Sequence, residues 1–315
     1  MKTLMKILLM LPLCAVTFVC CDSGPDELET DRPAIDAPGT EVPEKPSVSE
    51  TDDIAVKFPG ALKTVVRPGV EWFNFHGLWE GHIRNINIVR TALDSHNRLG
   101  IYYEYGADDD YITKKCEFLD ALVGTNGPMA CCHYVRVDGI TQRIANQQDP
   151  WIANCALVID DGVPDIVKVN DNYAASALTA RNVATGGPLL VFDGEVLNYP
   201  DWADEDFLKI THPRTAFGIS QDGKTVFHVT VDGRWTTGSS DRMAVGMEIP
   251  LLAKLMKGIG CYKAINFDGG GGTAMWIYGR GVNGIVNHPC DKPMNWDNPT
   301  LRTCGSAIYI SSDLK

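Results

Sequence analysis

Short apolar stretches recur along the chain at 83–90, 100–105, 155–160, 188–197, 215–220, 224–231, 262–267, 273–278 and 306–310, mostly separated by Gly, Asp or Asn. Runs of this length bounded by turn residues suit strands and are too short for most helices. The clearest helix is Ile249 to Lys257: Pro250 fits a first turn, Leu251, Leu252, Leu255 and Met256 make a helical stripe, and Gly258 to Gly260 end it. The pattern predicts an α+β fold, a strand-rich single catalytic domain with few helices. It lacks the regular strand–helix alternation of a doubly wound sheet. No internal repeat is visible.

A chain of 315 residues with 44% hydrophobic side chains has room for one large domain or two smaller ones. Its formal charge of −12 argues against a nucleic-acid partner, which needs a dense basic surface. Lys2 and Lys6 precede an apolar run, Ile7 to Val19, that ends on Cys20-Cys21 and a polar stretch. This predicts a lipoprotein signal peptide over 1–21 with Cys21 as the lipid acceptor; the alternative is ordinary cleavage to a secreted protein. The expected location is that of an exported lipoprotein, at the outer membrane, in the periplasm or on the cell surface, touching membrane through its anchor alone. Residues 22–53, acidic and rich in Pro, Ser and Thr, read as a disordered tether. Residues 54–115 read as a strand-rich lead-in, either packed onto the main domain or forming a small one, and 116–315 as the catalytic domain.

Beyond the first 21 residues there are seven cysteines: Cys116, Cys131, Cys132, Cys155, Cys261, Cys290 and Cys304. An odd number leaves at least one thiol unpaired, and no C-x-x-C spacing suggests zinc. Cys290 and Cys304 bracket a short loop and are the best candidates for a disulfide, against the alternative that all are buried thiols.

The stretch INFDGGGGTAMW at 265–276 sets four glycines directly behind Asp268. Four consecutive glycines are entropically costly unless backbone must approach something closely or adopt positive φ. Three other stretches belong with it: ATGGPLLVFDGEV at 184–196, THPRTAFGIS at 211–220 followed by VFHVTVDGRW at 226–235, and GIVNHPCDK at 284–292 with LRTCGSAIYI at 301–310. No Lys-Ser or Lys-Thr follows the glycines as in a phosphate loop, no helix opens at Gly272 as in a dinucleotide fold, and no Gly-x-Ser-x-Gly elbow occurs.

In order and spacing, Asn126-Gly127, Gly186-Gly187-Pro188, His212-Pro213-Arg214-Thr215, Val231-Asp232-Gly233-Arg234, Asp268 to Gly272, Asn287 with Pro289, and Arg302 resemble the phosphodiester glycosidase family over roughly 120–310. Departures are Gly272 where the family usually has serine, Leu251 in place of an acidic residue, and Pro128-Met129 in place of aromatics. The resemblance implies hydrolysis of a glycosyl-1-phosphate diester on a small-molecule or glycan substrate, with no cofactor and no metal. It implies Asp268 or Asp232 as nucleophile or base. Substrate and phosphate contacts would come from Arg214, Arg234, Arg302, Asn126, Gly187, Gly269, Gly270, Gly271, Gly272, Thr273, Asn287 and His288.

These residue types suit that chemistry. An oxocarbenium-like transition state is helped by a nearby carboxylate. A phosphate monoester leaves with little protonation, so the site needs a clamp for its oxygens, and arginine offers a planar, permanently charged fork. Glycine backbone can come close and aim N–H groups at an anion. Each residue also has a plainer reading. Asp268 could cap a turn, Asp232-Gly233 could be a hairpin turn, and Arg214 could pair at a core edge. His212 and His288 could be loop histidines, and Asn126 and Asn287 could supply left-handed turns. Two other functions remain open on sequence: a metal-dependent phosphodiesterase using Asp160, Asp161, Asp232, Asp268 and the histidines, and a non-catalytic glycan-binding or exopolysaccharide-associated surface protein with tryptophan platforms.

Overall fold

The apolar stretches of the sequence become the middle of an antiparallel sheet. Strand His82–Ala92 pairs with Thr225–Val231, which pairs with Arg214–Ile219, which pairs with Lys263–Asn266. All six residues of Arg214–Ile219 are buried, so this strand is covered on both faces. Alternation sends Ile86, Ile88, Phe227, Val229 and Val231 into one core, and Val89, Phe217, Ile219 and Val226 into another. The first core is closed by helix Ile249–Gly258 through Leu252, Leu255 and Met256, with Pro250 in its first turn as the sequence predicts. The second holds Leu122, Val123, Met275, Ile308 and Ile310 from a four-stranded sheet and Val135, Leu157 and Ile166 from a five-stranded one.

This computed structural model describes residues 53–104, 110–129, 131–146, 152–199 and 205–314, which fall in one unit spanning Glu44–Lys315. The signal peptide, Cys21 and the tether lie outside the described residues, apart from Asp53, which opens helix Asp53–Lys57. The architecture is the strand-rich α+β fold expected, with three antiparallel sheets among the described residues. Strands Val70–Trp79 and His82–Ala92 lie in the eight-stranded sheet, and Asn97–Tyr103 pairs with Ser306–Ser312 near the end of the chain. The stretch TAMWIY contributes strand Met275–Ile277.

Register brings distant residues to one end of the sheets. Val231 stands opposite both Arg214 and Ile86, so the chain just beyond it, Asp232, lies beside Asn85 and the Pro213-Arg214 strand start. Ala216 stands opposite Asn266, which places Phe267 and Asp268 at the same edge. In the smaller sheet Asn126 pairs with Ala307, and Thr125 with Met275, bringing Asn126 to the far end of the glycine run. Asp193-Gly194 is a hairpin corner with φ of 52° and 78°, the both-positive geometry of a type I′ turn. Asp232-Gly233 is not such a turn: Asp232 is 1% exposed and its carboxyl points inward, while Arg234 two residues on takes φ 65°.

Candidate active site

The glycine run is the meeting place. A β-carbon on Gly270 would stand 3.2 Å from Arg234 Nη2; one on Gly271 would stand 2.9 Å from Arg302 Nη2 and 2.8 Å from Asp291 Oδ1. One on Gly272 would stand 3.2 Å from Asp268 Oδ2, and one on Gly269 only 2.5 Å from the Pro213 carbonyl. Missing side chains therefore let two carboxylates and two guanidinium groups gather over bare backbone. Gly270 also takes φ 63°, which favours glycine.

The turn is fastened by two asparagines. Asn126 Nδ2 donates to the Asp268 carbonyl at 2.7 Å, and its Oδ1 accepts from Thr215 Oγ1 at 2.8 Å and Ala274 N at 3.0 Å. Asn287 Nδ2 donates to the Thr273 carbonyl at 3.1 Å and to Asp232 Oδ1 at 2.7 Å, while its Oδ1 accepts from Met275 N at 2.8 Å. Gly187 is tied on both sides to Asn266, through its N–H to the Asn266 carbonyl and its carbonyl from Asn266 Nδ2. Thr273 Oγ1 is buried without a hydrogen-bond partner among the described residues, a hydroxyl that a ligand atom could satisfy.

The two aspartates differ. Asp232 accepts three bonds: from Asn85 Nδ2 at 2.7 Å, Asn287 Nδ2 at 2.7 Å and the His288 backbone N–H at 2.8 Å. Burial pushes its carboxyl above the usual carboxylate range, while His288 and these donors pull it back. Asp268 is only partly buried, and its carboxylate accepts from Gly269 N at 2.9 Å. Burial pushes it up to about 6, against the Gly269 N–H and the Arg302 charge, so it exchanges its proton near neutral pH.

The three expected arginines also divide. Arg214 is 2% exposed; its Nε donates to the Met247 carbonyl at 2.9 Å and its Nη2 to the carbonyls of Phe207 and Ile210 at 2.7 and 3.2 Å. Its guanidinium also lies over the Phe207 ring, and burial holds its pKa down to about 10. This fork is turned into the protein. Arg234 is exposed beside the glycines. Arg302 is held by Asp291 at 2.7 and 3.4 Å, with half its side chain in solvent.

His288 joins the site to its outer wall: its Nδ1 lies 2.8 Å from the Trp296 carbonyl, and its ring stacks on Trp296 at 3.7 Å and 13°. Trp235 Nε1 donates to the His288 carbonyl at 2.8 Å. His212 Nδ1 is buried with no partner among the described residues; burial and the charges of Arg214 and Arg234 lower its pKa and keep it neutral.

Asn85 and Asp291 were not expected from the sequence. Asn85 could have been flagged as a polar residue within the apolar run 83–90; Asp291 carried no signal beyond its place in a loop. The expected disulfide is corrected. Cys290 and Cys304 are thiols, because Cys290 turns to Arg234 while Cys304 turns to the Asp110 carbonyl. Among the described residues no group of three or more His, Cys, Asp or Glu converges as a cation's donor set.

A family model described as phosphodiester glycosidase matches residues 121–311. The SPbeta prophage-derived uncharacterized protein YomE of Bacillus subtilis (strain 168) is 34% identical over 140 residues, 42% of this chain and 20% of YomE. The chain thus spans about a fifth of the length of that curated relative. The catalytic domain of zebrafish N-acetylglucosamine-1-phosphodiester alpha-N-acetylglucosaminidase, auto-inhibited by its pro-peptide, superposes with a TM-score of 0.59 at 19% identity, covering 78% of this chain and 84% of that one. A hypothetical protein from Synechocystis superposes with a TM-score of 0.56 at 12% identity, covering 81% and 64%. At these identities the structural likeness is one of fold.

Proposed function

The chain belongs to the phosphodiester glycosidase family, and from that premise we propose that it hydrolyses glycosyl-1-phosphate diesters at the anomeric C–O bond, releasing a free sugar and a phosphomonoester. The observation that carries this reading is the gathering of Asp268, Arg234 and Arg302 on one glycine turn. The name of the zebrafish relative gives a sugar-1-phosphodiester as its substrate; the linkage is extended to this chain, the sugar is not.

In this reading Arg234 and Arg302 grip the phosphate oxygens and stabilise the charge that builds as the phosphate departs; the N–H groups of Gly269, Gly270 and Gly272 are taken up inside the turn, by Asp268 Oδ1 and the carbonyls of Pro213 and Gly269. Arg302 exchanges its bond to Asp291 for the ligand. Asp268 faces the anomeric carbon as nucleophile or base, ionised for the most part at neutral pH. Asp232 acts as a positioning residue: it orders Asn287 and the His288 backbone, and through them the glycine turn and the Trp296 wall. Arg214, Asn126 and Gly187 shape the floor.

The test is a panel of glycosyl-1-phosphate diesters alongside the matching phosphomonoesters and aryl glycosides. Turnover of the diesters to free sugar and phosphomonoester supports the proposal; turnover of aryl glycosides alone would overturn it. The exported, lipid-anchored location is proposed from the N-terminal sequence. Its check is the membrane fraction, which Cys21→Ser should leave.

A further inference from the structure

The segment between strands Ala121–Asn126 and Tyr134–Val137 carries adjacent cysteines, Cys131 and Cys132, with sulfurs 3.3 Å apart. Their backbone is fixed from several sides. Cys132 N donates to the Met129 carbonyl at 3.1 Å, and Asn172 Nδ2 donates to the Cys132 carbonyl at 2.8 Å. The next residue, His133, has its two ring nitrogens 2.7 and 2.9 Å from the carbonyls of Met129 and Ile152. Cys131 is exposed and Cys132 half-buried, whereas Cys116, Cys155, Cys261 and Cys290 are buried.

We propose that Cys131 and Cys132 form a thiol–disulfide exchange site that accepts the disulfides of low-molecular-weight thiols and closes to a vicinal disulfide. The Cys131 thiolate attacks one sulfur of the donor, breaking the donor S–S bond and expelling one donor thiolate, which takes up a proton. Cys132, giving up its proton, then attacks the Cys131 sulfur. The protein S–S bond forms and the second donor thiol leaves with that proton. Two electrons pass from the cysteine pair to the donor disulfide, and the pair's two protons end on the two donor thiols.

Three further features bear on this. The hydrogen bond from Cys132 brings the Cys131 thiol down to about 7, assisted by Arg143 and opposed by burial and by the nearby Asp268 charge. A thiol that titrates near ambient pH is the best attacking group. Adjacent trans Cα atoms are about 3.8 Å apart, below the usual span of about 4.4–6.8 Å for disulfides, so the ring is strained: closure needs an excess of donor disulfide, and the bond is readily reduced again. The segment that carries the pair is joined to the candidate active site, where Asp268 N donates to the Gly127 carbonyl at 3.2 Å. The inference does not depend on the glycosidase reading.

The test uses the whole chain, reduced, freed of reductant, and titrated with glutathione disulfide. It is then quenched, denatured, alkylated and digested with trypsin. Residues 116–136 form one tryptic peptide containing Cys116, Cys131 and Cys132. The expected result is a drop from three alkylated cysteines to one, with a loss of two hydrogens mapped to Cys131-Cys132 and reversed by dithiothreitol. In Cys132→Ser the reaction should stop with one glutathione on Cys131. Wild-type peptide that stays fully alkylated, or that holds glutathione on Cys131 without closing, would overturn the proposal.

Discussion

The floor of the site and its mouth are built from the same residue types and behave oppositely. On the floor, Asp232, Arg214, Asn126 and Asn287 are all 2% exposed or less, and their polar groups are engaged by protein partners. At the mouth, Asp268 keeps solvent access, Arg234 is exposed and Arg302 is half-exposed. The comparison teaches that an aspartate or arginine in a family motif has two possible uses. A saturated, buried one orders backbone; one left open over glycine can meet substrate.

The largest effect expected from this division is on turnover. Asp268→Asn should lower kcat by about 10²–10⁴, the usual range for a lost acid–base group, with no loss of melting temperature at neutral pH. Asp232→Ala should act the other way round, on stability first. It leaves three buried donors without an acceptor, and denaturant unfolding should show a loss of roughly 3 kcal/mol or more. If Asp232→Asn leaves the fold intact and removes turnover as completely as Asp268→Asn, the floor and mouth assignments exchange.

Next come the arginines. Arg302→Ala and Arg234→Ala should each lower kcat/KM about ten- to hundred-fold, as expected for a charge-assisted hydrogen bond that strengthens as the phosphate departs, with little change in thermal unfolding. Arg214→Ala should lower the melting temperature, since three backbone carbonyls and the Phe207 ring lose their partner.

The smallest effect is a pH dependence of stability. Asp268 binds its proton more tightly folded, at about 6, than unfolded, near 3.8. The native state therefore holds more protons between these values, and stability falls as pH rises from about 4 to 6. The loss is on the order of 2 kcal/mol, since partial exposure tempers it. Asp268→Asn should flatten that slope in melting scans across pH, while the hydrolysis rate of the native chain climbs through about pH 6.

Much of this arrangement could be read from the chain. The strands follow from apolar runs of the right length, and the glycine turn announces itself because four glycines have no cheaper explanation. Side-chain direction could not be read. Arg214 opens a strand buried on both faces, so its fork had to find carbonyls inside; Arg234 sits past a strand end in a left-handed conformation that carries it outward. Asn85 was hidden by distance, being joined to Asp232 only through strand register across 147 positions. Cys131 and Cys132 were visible as neighbours, but the separation of their sulfurs is a property of the folded backbone.

The most direct test of the central claim is hydrolysis of a glycosyl-1-phosphate diester in water enriched with heavy oxygen, with native protein and Asp268→Asn side by side. The account predicts label in the released sugar from the native protein and almost no product from the variant. Label in the phosphomonoester would mean that the P–O bond breaks, and the assignment of Asp268 to the anomeric carbon would be contradicted.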